Sequence, residues 1–418
     1  MMLSLLLWAS LLQLPTFGKE RDKPFQESFL ASPGGHEPIY TTIGDNGSIL
    51  HDPKMSKQTE CRYYDDSNGL FSPDTTHPRF VITGGAGFIG SHLVKALRTA
   101  GIHASQIKVL DNLWRGQLTN LQYDDGSWAI NATADFCAMD LRNEQDTMRY
   151  IRGADYIYHL ADIVAGVAYV FSHQEAVFHD NLLINTYTLQ ASKINRIPNY
   201  IYVGTACSFP KGLQEGPGIH ALKEEQTYPA EPESAYGWSK LMGEYEAELA
   251  MEPGIFNVGL LRFHNVYGPF SDYSLKSSQA IPSLIRKALA YPSEPYIVWG
   301  SGNQYRDFVF VDDIVEALLL VKDKGMNKGP IQLGSKHATT ILDLATEVGD
   351  IVGKRTGQDI PIEFDIRQPE GDRGRIAAGY RAEQILGWKP TVSLRQGLET
   401  TVDWMELRGD RMSGEGSE

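Results

Sequence analysis

The chain has 418 residues, of which 42% are hydrophobic and 22% are charged, a balance typical of a soluble globular protein. The formal net charge of -14 argues against general nucleic-acid binding, because a phosphate backbone requires a basic surface. The cysteines, Cys61, Cys137 and Cys207, form no metal-ligand pattern, and their odd number does not suggest a disulfide framework. We therefore predict neither a metal site nor a disulfide scaffold.

Residues 1–18 are predicted to be a signal peptide, because Met1 to Pro15 is almost entirely apolar and small residues follow it. The stretch is shorter than the roughly 20 residues that a membrane span needs. An uncleaved anchor or an organelle-targeting leader is the alternative, so membrane contact is expected only if the segment is retained. The prediction is a location in the secretory pathway (ER or Golgi lumen), with a cytoplasmic or organellar location as the alternative. Sequons at Asn46 and Asn131 would be glycosylation candidates in a lumenal protein.

The remaining chain divides by composition and periodicity. Residues 19–76 are polar and rich in Gly, Pro, Ser and Asp, which indicates a flexible leader. In residues 77–270, buried strands alternate with helices, which predicts an α/β Rossmann fold, a doubly wound parallel sheet. Residues 271–405 are predicted to form mainly a smaller C-terminal α/β substrate lobe, and 406–418 a flexible tail. The predicted strands are Arg79–Thr83, Ile107–Leu110, Tyr156–Leu160, Tyr200–Val203 and Val258–Arg262, with a helix over Phe88–Thr99.

A glycine-rich segment, residues 83–90, lies between the first predicted strand and the first predicted helix. Glycines there let the backbone turn tightly and approach a pyrophosphate, while the helix N-terminus offers free N–H groups. We therefore expect a dinucleotide cofactor at this turn. The residues predicted to contact it are Gly84, Gly87, Phe88, Ile89 and Gly90.

An acidic residue indicates which dinucleotide binds. Asp111 ends the second predicted strand, 21 residues after Gly90, where a carboxylate meets the adenosine ribose hydroxyls. This carboxylate would repel a 2′-phosphate, so NAD is favoured over NADP. Arg115 lies nearby and keeps NADP open as an alternative.

Tyr236 and Lys240 are four residues apart, which places them on one face of a helix. A phenol has a pKa of about 10. A neighbouring ammonium and a nicotinamide cation are expected to lower the pKa of Tyr236, so that it serves as a base near neutral pH. Thr205, at the end of a predicted strand, supplies a hydroxyl that could orient a substrate hydroxyl beside the tyrosine. A solvated helix face is the alternative interpretation.

From about residue 78 to 405, these motifs resemble the extended short-chain dehydrogenase/reductase family, including its NAD-dependent epimerases and dehydratases. The likeness extends to residues 159–161, Asn181 and residues 306–313. It implies an NAD cofactor and a homodimer. It further implies that Asp140 and Leu141 contact adenine and that Asn181 steadies the catalytic helix. The cofactor-binding residues implied in total are those of the glycine segment with Asp111, Asp140, Leu141, Leu160, Ala161, Asn181, Tyr236 and Lys240.

Cys207 narrows the reaction within the family. Family dehydratases carry an Asp-Glu pair, and decarboxylases a Glu, where this chain has Ala206-Cys207. GDP-mannose 3,5-epimerases and GDP-fucose synthases place a cysteine there. A 4-keto group acidifies the C3 and C5 protons of a sugar, and a thiolate can remove one of them. A small buried hydrophobic residue is the alternative role of such a cysteine.

The surrounding residues are most similar to GDP-mannose 3,5-epimerase over residues 228–236, 262–270 and 369–375. That likeness makes Lys276 a candidate general acid, although Gln279 occupies the aligned position. The residues predicted to hold a substrate diphosphate are Asn265, Arg306, Arg373 and Arg375, because guanidinium pairs well with phosphate oxygens. His264 is predicted to be a structural hydrogen-bonding residue.

The sequence therefore predicts an NAD-dependent nucleotide-sugar epimerase that acts through a transient 4-keto intermediate. A UDP-sugar 4-epimerase is the enzymatic alternative, since it needs only the tyrosine, lysine and threonine. A non-catalytic NAD-binding protein is the alternative from another class.

Overall fold

The computed structural model describes residue 71 and residues 78–215, 218–274, 278–368 and 373–414, with the backbone alone described from residue 409. The predicted signal peptide and nearly all of the predicted leader lie outside these residues. Lys276 also lies outside them.

The described strands are numbered in chain order. They are β1 (Phe80–Thr83), β2 (Ile107–Asp111), β3 (Phe136–Ala138), β4 (Tyr156–His159), β5 (Asn199–Thr205), β6 (Ala221–Leu222), β7 (Asn257–Phe263), β8 (Asn265–Tyr267), β9 (Tyr296–Trp299), β10 (Tyr305–Arg306), β11 (Phe308–Phe310), β12 (Pro330–Leu333), β13 (Thr339–Thr340), β14 (Ile362–Asp365) and β15 (Gly374–Ala377).

The described α-helices are numbered in the same way. They are α1 (Phe88–Thr99), α2 (Glu144–Tyr150), α3 (Val167–Ser172), α4 (Gln174–Ile194), α5 (Ala235–Ala250), α6 (Ala280–Ala290), α7 (Val311–Leu320), α8 (Ile341–Thr356) and α9 (Leu394–Gly414). Short 3₁₀ or π turns cover Ala104–Gln106, Leu118–Leu121, Ala206–Ser208, Lys211–Leu213, Glu224–Thr227, Val321–Gly325 and Ala382–Leu386. Among the described helices, none has the length and apolarity needed to cross a membrane.

Seven parallel strands form the main sheet, in the order β12-β7-β5-β4-β1-β2-β3. Strands covered on both faces are expected to be apolar throughout, and every residue of β1 and β2 is buried. Phe80 and Ile82 join one core cluster while Val81 joins another, so the core lies on both sides of the sheet. The predicted α/β Rossmann fold is confirmed, and each predicted strand agrees with the structure to within two residues.

The strand order reverses beside β1. The chain passes from β1 to β2 and β3 on one side, and then crosses to β4, β5, β7 and β12 on the other. In open parallel sheets, ligands bind in the crevice outside the carboxyl ends of the strands at such a reversal. The crevice between β1 and β4 is therefore the place to look for the cofactor.

A second, smaller sheet has the order β13-β10-β15-β6, and β8–β11 and β9–β14 form separate pairs. The two lobes interleave along the chain. Strand β12 comes from the predicted substrate lobe but joins the main sheet, whereas β6 comes from the predicted cofactor domain but joins the small sheet. The boundary at residue 270 remains a prediction, and the chain crosses between the sheets on both sides of it.

A buried ion pair fastens α5 to β7. The Arg262 Nε donates to Glu244 at 2.7 Å, and the two side chains are only 1% and 3% exposed. Thr227 accepts a further hydrogen bond from the same guanidinium. Pairing of this kind is required, because an isolated buried charge is strongly destabilising.

Two features of the described residues add to what the sequence predicts. Cys137 is disulfide-bonded while Cys207 is a free thiol. An odd cysteine count is compatible with one bond and one free thiol, so counting alone could not exclude a bond. The predicted flexible tail begins too early, because α9 continues to Gly414. Leu398 and Val402 are buried at helical spacing and anchor this helix.

Candidate active site

The glycine turn between β1 and α1 requires glycine for close backbone approach. Gly84 has a φ of +68°, and a Cβ there would lie 2.9 Å from the backbone nitrogen of Ala161. A Cβ on Gly90 would lie 2.3 Å from the Gly84 carbonyl oxygen. Gly87 is the N-cap of α1, and Phe88 and Ile89 open the helix. This cradle of free backbone fits a dinucleotide pyrophosphate at a helix N-terminus.

Asp111 is buried at the end of β2. It accepts hydrogen bonds from the backbone N–H groups of Ala86 at 3.0 Å and Leu113 at 2.8 Å. Burial raises the pKa of this carboxyl, and the backbone hydrogen bonds oppose that rise. Asp111 therefore braces the glycine turn in addition to its predicted contact with ribose.

The nearby arginine is already engaged. One guanidinium nitrogen of Arg115 lies 3.0 Å from Asp272, and another donates to the Val164 carbonyl. A guanidinium held in this way is not directed to a 2′-phosphate beside Asp111. This geometry therefore does not favour the alternative in which Arg115 binds the 2′-phosphate of NADP.

Asp140 and Leu141, which are predicted to contact adenine, lie beside Arg142, an arginine that was not among the predicted site residues. Arg142 pairs with Asp140 at 2.7 Å and with Asp180 of α4 at 2.7 Å. Burial alone would raise the pKa of Asp140, but the hydrogen bonds from Arg142 hold it below its ordinary value. Leu141 is 5% exposed. The sequence signal that could have indicated this ion pair is the spacing, since Arg142 comes two residues after Asp140.

Asn181 joins the loop after β4 to the catalytic helix. Its Oδ1 accepts from the Ile163 N–H at 2.7 Å, and its Nδ2 lies 3.4 Å from the Ser239 hydroxyl of α5. Leu160 and Ala161, at the start of this loop, each donate a backbone N–H to the Thr83 hydroxyl at 3.2 Å. The placement matches the steadying role that the family resemblance implies.

The structure brings the predicted tyrosine, threonine and cysteine together. The Thr205 hydroxyl hydrogen-bonds to Tyr236 and accepts from the Cys207 N–H at 3.2 Å. Ser234 is the N-cap of helix α5, and its hydroxyl accepts a hydrogen bond from the Gly237 N–H at 3.2 Å. A Cβ on Gly237 would lie 2.3 Å from the Cys207 carbonyl oxygen, so the helix can approach the cysteine this closely only because residue 237 is glycine.

The expected lowering of the tyrosine pKa depends on two cations, Lys240 and the nicotinamide, and the described residues supply only the first. Burial of the phenol raises the pKa of Tyr236 well above its ordinary value, and the charges of Asp162 and Cys207 raise it further. The hydrogen bond from Thr205 and the charge of Arg375 oppose the rise. The positive charge of Lys240 is paired with a negative one, because its ammonium lies 2.8 Å from the Asp162 carboxylate. The available signal for Asp162 was a charge two residues after the predicted buried strand.

Cys207 is half-buried, and its sulfur faces a guanidinium. The distance from Arg375 Nη2 to Cys207 Sγ is 3.1 Å, and Nη1 of the same arginine donates to Gln214 at 2.7 Å. A neighbouring cation and partial exposure are typical surroundings of a reactive cysteine. Arg375 was predicted only to bind the substrate diphosphate, and no local sequence pattern links it to Cys207.

The other predicted substrate-binding residues are Arg306, Asn265 and Arg373. Parallel pairing of β10 with β15 sets Arg306 directly beside Arg375, so two guanidinium groups lie on neighbouring strands. Asn265 donates its side-chain N–H to the Asp307 carbonyl at 3.2 Å, and the exposed Arg373 immediately precedes β15. Their phosphate-binding roles remain predictions.

His264 is placed as the sequence predicts, in a structural position. The side chain is buried, and its Nε2 lies 3.0 Å from Gln332 Oε1. Burial lowers the pKa of this imidazole. Within the described ranges, no group of three or more His, Cys, Asp or Glu side chains is arranged to hold a metal ion.

The fold agrees with comparison to known proteins. The profile of the NAD dependent epimerase/dehydratase family matches residues 80–334. This chain belongs to that family. Its members use NAD, and the chain is an NAD-dependent enzyme rather than a non-catalytic binding protein. The glycine cradle, the carboxylate of Asp111 and the engaged Arg115 fit that cofactor.

Relatives within the NAD dependent epimerase/dehydratase family differ in substrate. GDP-mannose 3,5-epimerase 1 of Oryza sativa subsp. japonica is 30% identical over 345 residues, covering 81% of this chain and 84% of that enzyme. The UDP-glucose 4-epimerase of Thermotoga maritima, solved with UDP-glucose, is 28% identical with a TM-score of 0.68, covering 79% and 99%. The UDP-glucuronic acid 4-epimerase of Bacillus cereus, solved with UDP-glucuronic acid and NAD, is 25% identical with a TM-score of 0.65, covering 79% and 99%.

We predict that Gly84→Ala weakens NAD binding at least tenfold. The new Cβ would meet the Ala161 backbone, so the turn that holds the pyrophosphate must deform. Gly101→Ala is the matched control, because Gly101 also has a positive φ, of +91°, but nothing lies within 4 Å of its Cβ position. Both variants should lose about 1–2 kcal/mol of stability from the left-handed backbone. Calorimetric titration with NAD checks the difference, and equal affinities in the two variants would contradict the assigned role of Gly84.

Proposed function

We propose that this chain is a nucleotide-sugar epimerase of the GDP-mannose 3,5-epimerase type. Cys207 is the base that removes a proton from a sugar carbon. The observation that carries the proposal is the 3.1 Å contact between Arg375 and the Cys207 sulfur, next to Tyr236 and Thr205. A 4-epimerase has no step that needs a thiolate. Similarity to the rice GDP-mannose 3,5-epimerase over 81% of the chain supports the same substrate class.

The first step is oxidation of the sugar at C4. Tyr236, hydrogen-bonded to Thr205, takes the proton of the C4 hydroxyl while the C4 hydrogen leaves as hydride. Bound NAD, held by the glycine turn and Asp111, would supply the hydride acceptor and a positive charge that favours the ionised phenol. The sugar becomes a 4-ketone, and its C3 and C5 protons become acidic.

The second step inverts a neighbouring carbon. The Cys207 thiolate removes the proton from C5 or C3, and the electron pair of that C–H bond moves into the enolate of the 4-ketone. A general acid on the opposite face returns a proton to carbon, and Lys276 remains the candidate for this role. Return of the hydride to C4 and of the proton from Tyr236 restores the alcohol.

The nucleotide end is assigned to the arginines. Arg306 and Asn265 would bind the diphosphate, because planar guanidinium and amide donors match phosphate oxygens. Arg375 lies on the strand next to that of Arg306, and its guanidinium contacts the Cys207 sulfur. An anionic substrate therefore enters an overall acidic protein through a local positive site.

We predict that incubation with GDP-mannose in deuterated water places deuterium at C3 or C5, as followed by NMR. Cys207→Ala should abolish this exchange, since alanine cannot accept the proton, and Arg375→Gln should slow it at least tenfold by removing the adjacent charge. Cys207→Ser is the isosteric control, because a hydroxyl is a far weaker acid than a thiol.

Another outcome would favour the UDP-sugar 4-epimerase, which the two solved relatives support. In that case UDP-glucose or UDP-galactose inverts at C4 alone, without deuterium on carbon and regardless of Cys207. Tyr236, Thr205 and Lys240 suffice for that chemistry.

We also propose a homodimer in which α5 of one copy packs against a second copy. Met242, Tyr245 and Leu249 are 45%, 53% and 69% exposed, and their spacing places them along one face of α5. A two-fold interface uses the same patch on both copies, so an apolar stripe can cover its own counterpart.

Leu249→Lys should convert the protein to a monomer by burying a charge in this interface, as measured by light scattering. Ile366→Lys is the control, since Ile366 is 79% exposed and follows β14 rather than belonging to α5. A wild-type protein that is already monomeric, or a Leu249→Lys variant that stays dimeric, would contradict the proposed interface.

We propose a lumenal location for the protein. The disulfide at Cys137 favours an oxidising compartment, and the sequon residue Asn131 is exposed. Both observations agree with the apolar N-terminal segment in the sequence.

Expression of the full chain in eukaryotic cells should give a product whose mobility shifts on N-glycosidase treatment. Asn131→Gln should remove at least part of that shift. Alkylation without reductant should label Cys207 and spare Cys137. A product without glycan, in which Cys137 is alkylated, would place the protein in a reducing compartment instead.

A further inference from the structure

A buried glutamine connects the chain segment after Cys207 to the arginine that faces its sulfur. Gln214 follows the short turn Lys211–Leu213, and it is only 2% exposed. Its Oε1 accepts a hydrogen bond from Arg375 Nη1 at 2.7 Å, while Nη2 of the same guanidinium lies 3.1 Å from the Cys207 sulfur. The guanidinium is therefore held between the amide of Gln214 and the thiol.

The other end of the Gln214 amide fixes its orientation. Its Nε2 donates to the Phe209 carbonyl oxygen at 3.0 Å and to the Pro210 carbonyl oxygen at 3.3 Å. An amide nitrogen only donates hydrogen bonds and an amide oxygen only accepts them. Rotation of the amide by half a turn would set its N–H groups against the guanidinium and its oxygen against two carbonyls. Gln214 therefore presents an acceptor, and never a donor, to Arg375.

The backbone of Gln214 strengthens the same connection. Its carbonyl oxygen accepts a hydrogen bond from the N–H of Gly374 at 3.3 Å, and Gly374 directly precedes Arg375 in β15. A Cβ on Gly374 would lie 2.5 Å from the ring of Tyr305, so this close path of the strand requires glycine. The main chain and the side chain of one residue thus join the segment after Cys207 to β15.

Two groups would compete for the Arg375 guanidinium when a nucleotide-sugar is bound, namely the Cys207 sulfur and the diphosphate. Planar guanidinium pairs well with phosphate oxygens, and Arg306 lies beside Arg375 on the neighbouring strand. An arginine side chain has many rotamers, and a fixed acceptor selects among them. Because Gln214 is buried, any effect that it has on the reaction must pass through Arg375.

We propose that Gln214 is a positioning residue that holds the Arg375 guanidinium at the Cys207 sulfur rather than at the substrate diphosphate. This assignment rests on the proposed role of Cys207 as the carbon base. The glutamine transfers no proton and contacts no substrate. It fixes the direction of the positive charge beside the thiol.

The test compares alkylation of Cys207 by two reagents of similar size, neutral iodoacetamide and anionic iodoacetate, with mass spectrometry of the Cys207 peptide. Both reagents react with the thiolate, so the ratio of their rates cancels the thiolate fraction and reports positive charge at the sulfur. Gln214→Leu has a similar size but no acceptor. It should lower the iodoacetate-to-iodoacetamide ratio about fivefold, the effect of one partly exposed ion pair. An unchanged ratio in the folded variant would overturn the proposal.

A double-mutant cycle shows whether the glutamine acts through the arginine. Arg375→Gln should lower the ratio as much as Gln214→Leu does, and the two substitutions together should lower it no further. Additive losses would mean that Gln214 acts independently of Arg375, which contradicts the proposal.

Gln106→Leu is the matched control. Gln106 is also 2% exposed, but it lies just before the amino end of β2, whereas Thr205 and Cys207 lie at the carboxyl end of β5. This variant should keep the wild-type ratio. A loss equal to that of Gln214→Leu would make the effect one of general stability and overturn the proposal.

Gln214→Asn tests the proposal if Gln214→Leu does not fold. Its amide is one methylene shorter, so it is too short to contact the Phe209 and Pro210 carbonyls and Arg375 together, and the ratio should again fall. No sugar is present in this measurement. A ratio that depends on Gln214, together with no deuterium exchange in GDP-mannose, would refute the proposed substrate and support the positioning role. An unchanged ratio in Gln214→Asn would refute the positioning role, whatever the substrate.

Discussion

A buried ion pair holds the catalytic helix against the sheet, and the geometry of the site depends on it. Arg262 on β7 and Glu244 on α5 meet at 2.7 Å with almost no exposure to solvent. Gly204, immediately before Thr205, leaves room for this carboxylate, since a Cβ there would lie 3.0 Å from it. Removing either charge would leave the other buried and unpaired. Helix α5 is thus fixed in register with β5 and β7, and Tyr236 lies within hydrogen-bonding reach of Thr205.

Much of the fold was predictable because its signals are local. The apolar run before Gly84 and the alternation of strands and helices depend on neighbours in sequence, and they placed the main sheet correctly. The glycine turn, Asp111 and the Tyr236–Lys240 pair were predictable for the same reason, since short spacing carries their chemistry. The family resemblance contributed Asn181, whose bond to Ile163 is a contact across 18 residues.

What could not be predicted depends on long-range contacts. Arg375 reaches Cys207 across 168 residues, and no local pattern links them. The pKa of Tyr236 is raised first by burial and then by the charge of Asp162, and the spacing of Tyr236 and Lys240 shows neither. The disulfide at Cys137 likewise could not be derived from a count of cysteines. Each of these features depends on which groups meet after folding, and tertiary folding alone decides that.

The interleaving of the two sheets restricts how this architecture can be divided. Strand β12 returns to the main sheet after the chain has already built β10 of the small sheet, and β6 leaves for the small sheet before β7 is added to the large one. A single cut anywhere between β6 and β12 therefore removes a strand from one sheet or the other. The substrate lobe cannot be exchanged between relatives as one contiguous cassette. A change of substrate preference is easier to achieve by substitutions in the loops and strand ends that line the crevice. Such substitutions leave the cofactor-binding part of the main sheet unchanged.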